Sequence, residues 1–442
     1  MPTNSIASPR RTDRPWLARA LASSVVPTVL AAVILTVIVI SFRPFQPGGA
    51  TLEPDAGGDI VNQLGFSALG GLALFAMLSC VNPRTISAFF SPWWLLMLGF
   101  FGLSIMNATD PSAAARGGLF TLIGIIAVVA VLALPRDGQA FASVFAVAGI
   151  TVVVISYMGL ILLPGAAMHS GADVEWEHAG LWRGVFAHKN IAGPVMAGFS
   201  FAGLYLYRRG WKRRGLFLLI TAIIFMANTG SKTTAGLVPL AILIVMVPGL
   251  IGMRRLTVLL VALAFVGTAV ATLGIVFIQP VKELVLSQIP DLTYTGRTSL
   301  WEFAGEMIMK RPWTGYGFES FWRGVAVMST DHPFDRAWDV RTMVHGHNGY
   351  VDIAVAMGLP ALLVAIMAFF IEPMRDYIRI PPLRENILLG DFFMMVFLFT
   401  ALNAFLESFF FRRVDPVWVF FLISVFGLRM VARLPVPSGS LR

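Results

Sequence analysis

The sequence predicts an all-α polytopic membrane protein with about twelve transmembrane helices. Three observations predict it. Hydrophobic residues make up 57% of the chain and charged residues only 13%, against about 45–50% and about 25% in soluble domains. Mean hydropathy is +0.77. The apolar residues come in continuous runs rather than in period-two alternation, which excludes a transmembrane β-barrel. A soluble enzyme, a disordered protein and a secreted disulfide scaffold are excluded on the same grounds. The single cysteine, Cys80, allows neither an internal disulfide nor a cysteine-based metal cage. The 442 residues are read as a single integral membrane domain, 1–442.

The runs follow in order. The first, near 21–40, comes after Arg10, Arg11, Arg14 and Arg19. It is too long for a signal-peptide core and has no clear small-residue cleavage site, so it reads as a signal anchor and first span. Further runs lie near 60–79, 91–106, 116–135, 140–163, 190–206, 216–229, 236–252, 256–279, 348–370, 387–406 and 415–430. Each approaches the ~20 residues that a bilayer requires. Both termini then fall on one side. With the termini inside, 19 of the 33 Lys and Arg residues lie inside and 14 outside, and 6 of the 24 acids lie inside and 18 outside. The Lys/Arg bias places the termini in the cytoplasm. The formal charge of +9 reads as retention by the anionic inner leaflet, with membrane lipids and not nucleic acid as the partner.

Two connections are long, and both fall outside: 164–189, between spans five and six, and 280–345, between spans nine and ten. Long loops in a compact protein are usually functional. All six histidines lie in them or just past their ends: His169, His178, His188, His332, His345 and His347. So do six of the eleven tryptophans: Trp176, Trp182, Trp301, Trp313, Trp322 and Trp338. Those rings suit either an interfacial aromatic belt or the stacking of sugar faces. From Arg297 to Lys310 the residues Leu300, Phe303, Ala304, Met307 and Ile308 recur at helical spacing. The spacing predicts an amphipathic helix lying on the membrane surface. Pro312, Gly315 and Gly317 then make a turn.

Chemistry is expected at three places. His345-Gly346-His347-Asn348 stands directly before span ten. No cysteine and no H-E-x-x-H helix accompanies it, so no metal is expected. A histidine at a helix start in a water-accessible cavity suits general-base work, because its ~6.5 pKa leaves much of it neutral near pH 7. The second place is Lys232, with no other charge from Leu216 to Gly252. Such a lysine faces a protein cavity or snorkels. The third is Arg183 and His188-Lys189-Asn190, just before span six. An anion held at the outer boundary would gather these cations, and a lipid-linked diphosphate fits best. The loop acids Glu302, Glu306, Glu319, Asp331, Asp335 and Asp339 have no glycosidase spacing. There is no Walker motif.

These residues resemble a family. The order Gly184-Val185-Phe186-Ala187-His188-Lys189-Asn190-Ile191-Ala192-Gly193, Ser231-Lys232-Thr233, Gly296-Arg297 with Trp301, Arg311-Pro312-Trp313-Thr314-Gly315-Tyr316-Gly317, and His347-Asn348-Gly349-Tyr350 with Gly358-Leu359-Pro360 is similar to the O-antigen ligase/polymerase superfamily. The His-Lys-Asn form most resembles the exopolysaccharide (succinoglycan-type) repeat-unit polymerases. The resemblance covers roughly residues 180–365.

The resemblance implies a GT-C-like, metal-independent, inverting glycosyltransferase with no cofactor, in the bacterial inner membrane with its active site on the periplasmic face. It would polymerise undecaprenyl-diphosphate-linked oligosaccharide repeat units into exopolysaccharide. His347 would be the base. Arg297 and Lys232, with Lys189 and Arg183 as candidates, would hold the donor diphosphate. His345, Asn348, Trp301 and Trp313 would support the site or the acceptor. Lys232 departs from the arginine common in the family and would act as a point charge. A chain-length regulator and export machinery are candidate partners. Two alternatives stay open: a ligase moving glycan to lipid A-core or protein, and, from another class, a glycolipid flippase or transporter. A transporter should place its ionisable residues near mid-span, often in repeated halves.

Overall fold

The structure is a computed structural model and describes residues 24–46, 59–171, 176–288, 294–330 and 339–439. Arg10, Arg11, Arg14 and Arg19, together with Asp331, His332, Asp335, Trp338 and the side chain of Trp176, lie outside the described residues. Among the described residues, all regular structure is helical except one antiparallel bridge, Met168 with Trp182.

Each predicted run is occupied by helix. The main ones are α1 (Val25–Ile40), α2 (Ile60–Cys80), α3 (Pro92–Met106), α4 (Pro111–Ala133), α5 (Gly138–Leu162), α6 (Lys189–Arg209), α7 (Lys212–Asn228), α8 (Lys232–Leu250) and α9 (Arg254–Phe277). After the surface helix α10 (Gln279–Gln288) come α11 (Arg297–Lys310), α12 (Gly349–Met357), α13 (359–378), α14 (Arg384–Asn403) and α15 (Pro416–Arg433). Seven of these are long and apolar enough to cross a membrane by length and composition: α2, α4, α5, α8, α9, α14 and α15. This is a polytopic, all-helical membrane protein.

The sequence writes the helix starts plainly. Ser91 before Pro92, Asp110 before Pro111 and Asp415 before Pro416 each accept backbone N–H groups of the first turn. The cap satisfies orphan donors, and proline at the first helical position lacks the N–H that would be orphaned anyway. Packing then sorts the helices into a centre and a rim. α14 and α15 are buried nearly all round, with Phe392, Phe393, Phe397, Trp418 and Phe421 in the core. α8 and α9 keep Leu243, Leu259 and Leu263 exposed, as lipid-facing helices do. α6 and α7 cross at Gly203 and Gly215, where a Cβ on either would run into the partner's backbone.

Two expectations need correction. The 297–310 helix forms where predicted, but its apolar face is covered by protein rather than by lipid. Leu300, Phe303, Ala304, Met307 and Ile308 are buried against Val351, Ala354 and Val355 of α12 and against Phe321 and Val340. Periodicity reports that a face is apolar, not what covers it. Span ten is not continuous either. It breaks at Gly358, φ +86°, between α12 and α13. The turn Pro312–Gly315 packs into the break: Leu359 N–H donates to the Pro312 carbonyl, and Cβ atoms at Gly315 or Gly358 would strike the opposing backbone. This packing leaves no room for a Cβ at either glycine.

The face opposite His347 is clamped by ion pairs. Arg208 and Arg254 meet Asp391, and Arg209 meets Glu385 and Gln139. These join α5, α6, α9 and α14 at one end of the bundle and leave the other end open.

Candidate functional site

At the other end, a cavity of about 1110 Å³ opens among the ends of α1, α2, α6, α12, α14 and α15. Polar residues His188, Asn190, Trp322, Arg323, His345, His347, Glu407 and Arg412 line it. Ile38, Phe66, Phe411, Val414 and Val417 give it an apolar side. Eight described non-glycine residues have a left-handed backbone, and six of them line this cavity: Ser41, Glu319, Arg323, His347, Phe411 and Arg413. Such strain persists only where the surroundings over-determine it, and it collects at functional sites.

His347, φ +49°, is the best example. The residues on either side of it are fixed. Gly346 N–H donates to Asp352 Oδ1 at 3.0 Å, and Trp322 Nε1 donates to the same oxygen at 2.8 Å. The Gly346 carbonyl accepts from Trp301 Nε1 at 2.9 Å. Asn348 caps α12 through Tyr350 N–H and Val351 N–H, its own N–H donates to Ser408 Oγ at 3.0 Å, and its amide donates to the Phe405 carbonyl. The last two bonds bring the 404–408 turn, and with it Glu407, alongside His347.

Glu407 is the hub. Its Oε2 lies 3.5 Å from His347 Nδ1. Its Oε1 accepts from Arg297 at 3.1 Å and from Asn190 Nδ2 at 3.3 Å. Burial pushes the Glu407 carboxyl up, but the His347 contact and the Arg297 charge outweigh it, so the group titrates below its usual 4.5. His188 and Asn190 at the start of α6 and His347 just before α12 line the same cavity, and helix N-termini favour anionic groups. His345 Nδ1 accepts the His347 N–H at 3.3 Å. Burial first, then the charges of Arg412, His347, Arg297 and His188, hold His345 well below 6.5. His345 Nδ1 thus ties the backbone of His347 into the turn.

The other predicted residues are placed as follows. Arg297, His347, His345 and Asn348 come together. Trp301 is buried beneath the turn and is not a sugar platform. Trp313 is 72% exposed. Arg183 is buried and donates to the Ala187 carbonyl. Lys189 is buried in the first turn of α6, beside the cavity residues His188 and Asn190. Lys232 is not brought to the cavity wall: it is exposed at the first turn of α8.

Sequence reasoning missed Glu407, Asp352 and Arg412, and it did not separate Trp322 from the other loop tryptophans. The signal for Glu407 was its place in a short polar stretch, Glu407-Ser408 to Arg412-Arg413, between two apolar runs on the predicted outer side. It also missed a trio. His169, His178 and His188 offer ring nitrogens within 4.8 Å of one another, the set among the described residues that could hold a metal ion. His169 Nε2 already accepts Lys189 N–H, and His188 Nδ1 accepts Asn190 N–H. An ion would have to compete with those bonds.

Known proteins can now be set beside this geometry. Residues 191–366 match the family described as O-Antigen ligase. That stretch begins one residue after Asn190 and contains Arg297, His345 and His347. The chain is also 24% identical over 331 residues to Exopolysaccharide production protein ExoQ of Rhizobium meliloti (strain 1021), covering 69% of this chain and 71% of that protein. The similarity to the O-antigen ligase/polymerase superfamily therefore holds for the sequence as well as for its motifs.

Proposed function

We propose that this protein is a glycosyltransferase that joins undecaprenyl-diphosphate-linked oligosaccharide repeat units into exopolysaccharide at the periplasmic face of the inner membrane. The observation that carries the reading is one contact: His347 Nδ1 faces the Glu407 carboxylate, with Arg297 on the same carboxylate, in a cavity that has both a polar and an apolar side. A carboxylate drawn onto Nδ1–H leaves the lone pair on Nε2, the arrangement a general base requires.

In the proposed step, His347 Nε2 accepts the proton of the acceptor sugar hydroxyl. The freed oxygen forms a bond to the anomeric carbon from the face opposite the diphosphate. The carbon–oxygen bond to the diphosphate breaks, and its electron pair leaves with undecaprenyl diphosphate. Arg297 and the two helix N-termini stabilise the growing charge. Lys189 and Arg183 add positive potential from beside the cavity, and Lys232 from the start of α8. The apolar side of the cavity takes the polyprenyl chain. The leaving group is already activated, so the step needs no nucleotide, and the cations can take the role a metal plays elsewhere.

A ligase reading uses the same donor site and differs in acceptor. The family description favours it, whereas the name of the Rhizobium relative favours polymer production. Deleting the gene and sizing the exopolysaccharide and the lipid-linked intermediates separates the two. A polymerase mutant accumulates single lipid-linked repeats and loses polymer. A ligase mutant keeps polymer on its lipid carrier, which would overturn the polymerase assignment.

A further inference from the structure

Glu407 stands where an anionic ligand would be expected. Its Oε1 takes hydrogen bonds from the Arg297 guanidinium at 3.1 Å and the Asn190 amide at 3.3 Å, and Asn190 belongs to the first turn of α6. A guanidinium and a side-chain amide from the first turn of α6, converging on one oxygen, form an anion cradle. Here the protein's own carboxylate fills it. The other oxygen faces His347 at 3.5 Å, too long for a strong hydrogen bond. The carboxylate is thus held between two claims, one from the cradle and one from the histidine.

We propose that Glu407 is a positioning residue that couples donor binding to the readiness of His347: the donor diphosphate takes Arg297 and Asn190 from Glu407, and the carboxylate is left to His347. This inference rests on the glycosyltransferase reading above. A diphosphate carries more charge and more acceptor oxygens than a carboxylate, so it outcompetes Glu407 for the guanidinium. Glu407 cannot follow Arg297, because its backbone is fixed on the histidine side. Its N–H donates to the Asn403 carbonyl at 2.9 Å, and the next residue, Ser408, accepts Asn348 N–H. Released from the cradle, the carboxylate closes on Nδ1–H, fixes the tautomer and balances the imidazolium that forms. Contacts that are long in the free enzyme commonly tighten in this way. The consequence is order. His347 becomes a competent base only after the donor is seated, so acceptor hydroxyls and water are not deprotonated beforehand.

Reconstituted full-length protein tests this. The probes are a lipid-linked repeat with a natural diphosphate and a non-transferable analogue with a methylene phosphonate at the anomeric position. In Glu407→Gln the competitor for Arg297 is gone, so the analogue should bind about five- to tenfold more tightly, the scale of one charge-assisted contact. Turnover should fall about a hundredfold or more, the scale of a lost orienting carboxylate. Glu407→Asp should keep part of the turnover. A residue with a merely structural role would lose donor affinity and turnover together, and that result overturns the proposal. So does a Glu407→Gln enzyme with wild-type turnover. If Glu407→Gln does not fold, Glu407→Asp carries the same test: tighter analogue binding with slower turnover supports the coupling, and weaker binding with slower turnover overturns it. A wild-type protein that neither binds the analogue nor transfers the repeat sinks the enzymatic reading and the coupling with it.

Discussion

Replacing Trp301 by phenylalanine should slow transfer about tenfold to a hundredfold while leaving donor affinity near wild type. Trp301 is fully buried, and its Nε1 donates at 2.9 Å to the Gly346 carbonyl. Phenylalanine removes the donor and leaves that carbonyl unsatisfied, a cost of about 1–3 kcal/mol. The indole-to-phenyl change also leaves a void, worth about 1–2 kcal/mol. The turn can escape the first cost by letting the Gly346 carbonyl rotate toward water in the cavity. His347, the next residue, then leaves its left-handed conformation, which loses its support. If the rearranged turn is favoured by about 1.4–2.8 kcal/mol, the competent His347 population falls tenfold to a hundredfold. Arg297 and Asn190 are untouched, so donor binding persists. The assay measures kcat and donor affinity on reconstituted protein, with a melting curve to show that the variant is folded. Wild-type turnover in a folded Trp301→Phe protein would refute the idea that this bond holds the base. Trp322→Phe is the control. It loses one bond to Asp352, but Asp352 still accepts Gly346 N–H, so the loss should be smaller.

Other outcomes follow from the same geometry. His347→Ala and His347→Gly should each lose about 10²–10⁴-fold in turnover, and the glycine form should be more stable by about 1 kcal/mol because it adopts positive φ without a Cβ clash; equal melting points for the two would contradict the strain. Arg297→Ala should cost about ten- to a hundredfold in activity, the scale of a charge-assisted contact, while Lys232→Ala, exposed and away from the cavity wall, should cost less; the reverse order would place the diphosphate at α8. His345 has a folded pKa below its ordinary 6.5, so its share of stability is present above pH 6.5 and is lost as pH falls from there toward the folded value. His345→Asn should therefore flatten the melting temperature just below pH 6.5. Glu407, also depressed, acts only below about 4.5, so the two windows separate. Reporters fused near Gly210 and Arg379 should be cytoplasmic and those near Gly171 and residue 331 external; a cytoplasmic signal at 331 would put the histidine on the wrong side.

Much of this architecture was readable from the chain. Continuous apolar runs place the helices, and the pairs Ser91-Pro92, Asp110-Pro111 and Asp415-Pro416 mark their starts, because capping and proline chemistry are local. The histidine turn before α12 was readable because residue type and helix start coincide in sequence. What it touches was not. Glu407 reaches His347 only because the start of α12 packs on the turn that follows α14, with Gly349 N–H on the Ala404 carbonyl and Asn348 N–H on Ser408. Periodicity found the apolar face of α11 but not its partner, since a bilayer and a protein groove select the same residues. Lys232 shows the opposite limit of sequence reading. An isolated cation in an apolar stretch draws attention, yet at the first turn of α8 it reaches solvent without entering the cavity. The trio His169, His178 and His188 follows no metal spacing. It is assembled by the fold of 164–189, where Met168 bridges Trp182 and His169 exchanges backbone bonds with Gly180 and Leu181.

In the proposed reaction His347 takes the acceptor proton in a cation-supported transfer from a lipid diphosphate. The most direct measurement is the transfer rate of purified wild-type and His347→Ala protein, reconstituted with one defined undecaprenyl-diphosphate-linked repeat, with and without chelator. Product length and released undecaprenyl diphosphate are quantified together. The account predicts that the wild type makes dimers and longer products with one diphosphate carrier released per bond, unchanged by chelator. It predicts that His347→Ala binds the donor but makes at most a hundredth of the product. Wild-type turnover in His347→Ala, or loss of all activity on chelation, would contradict it.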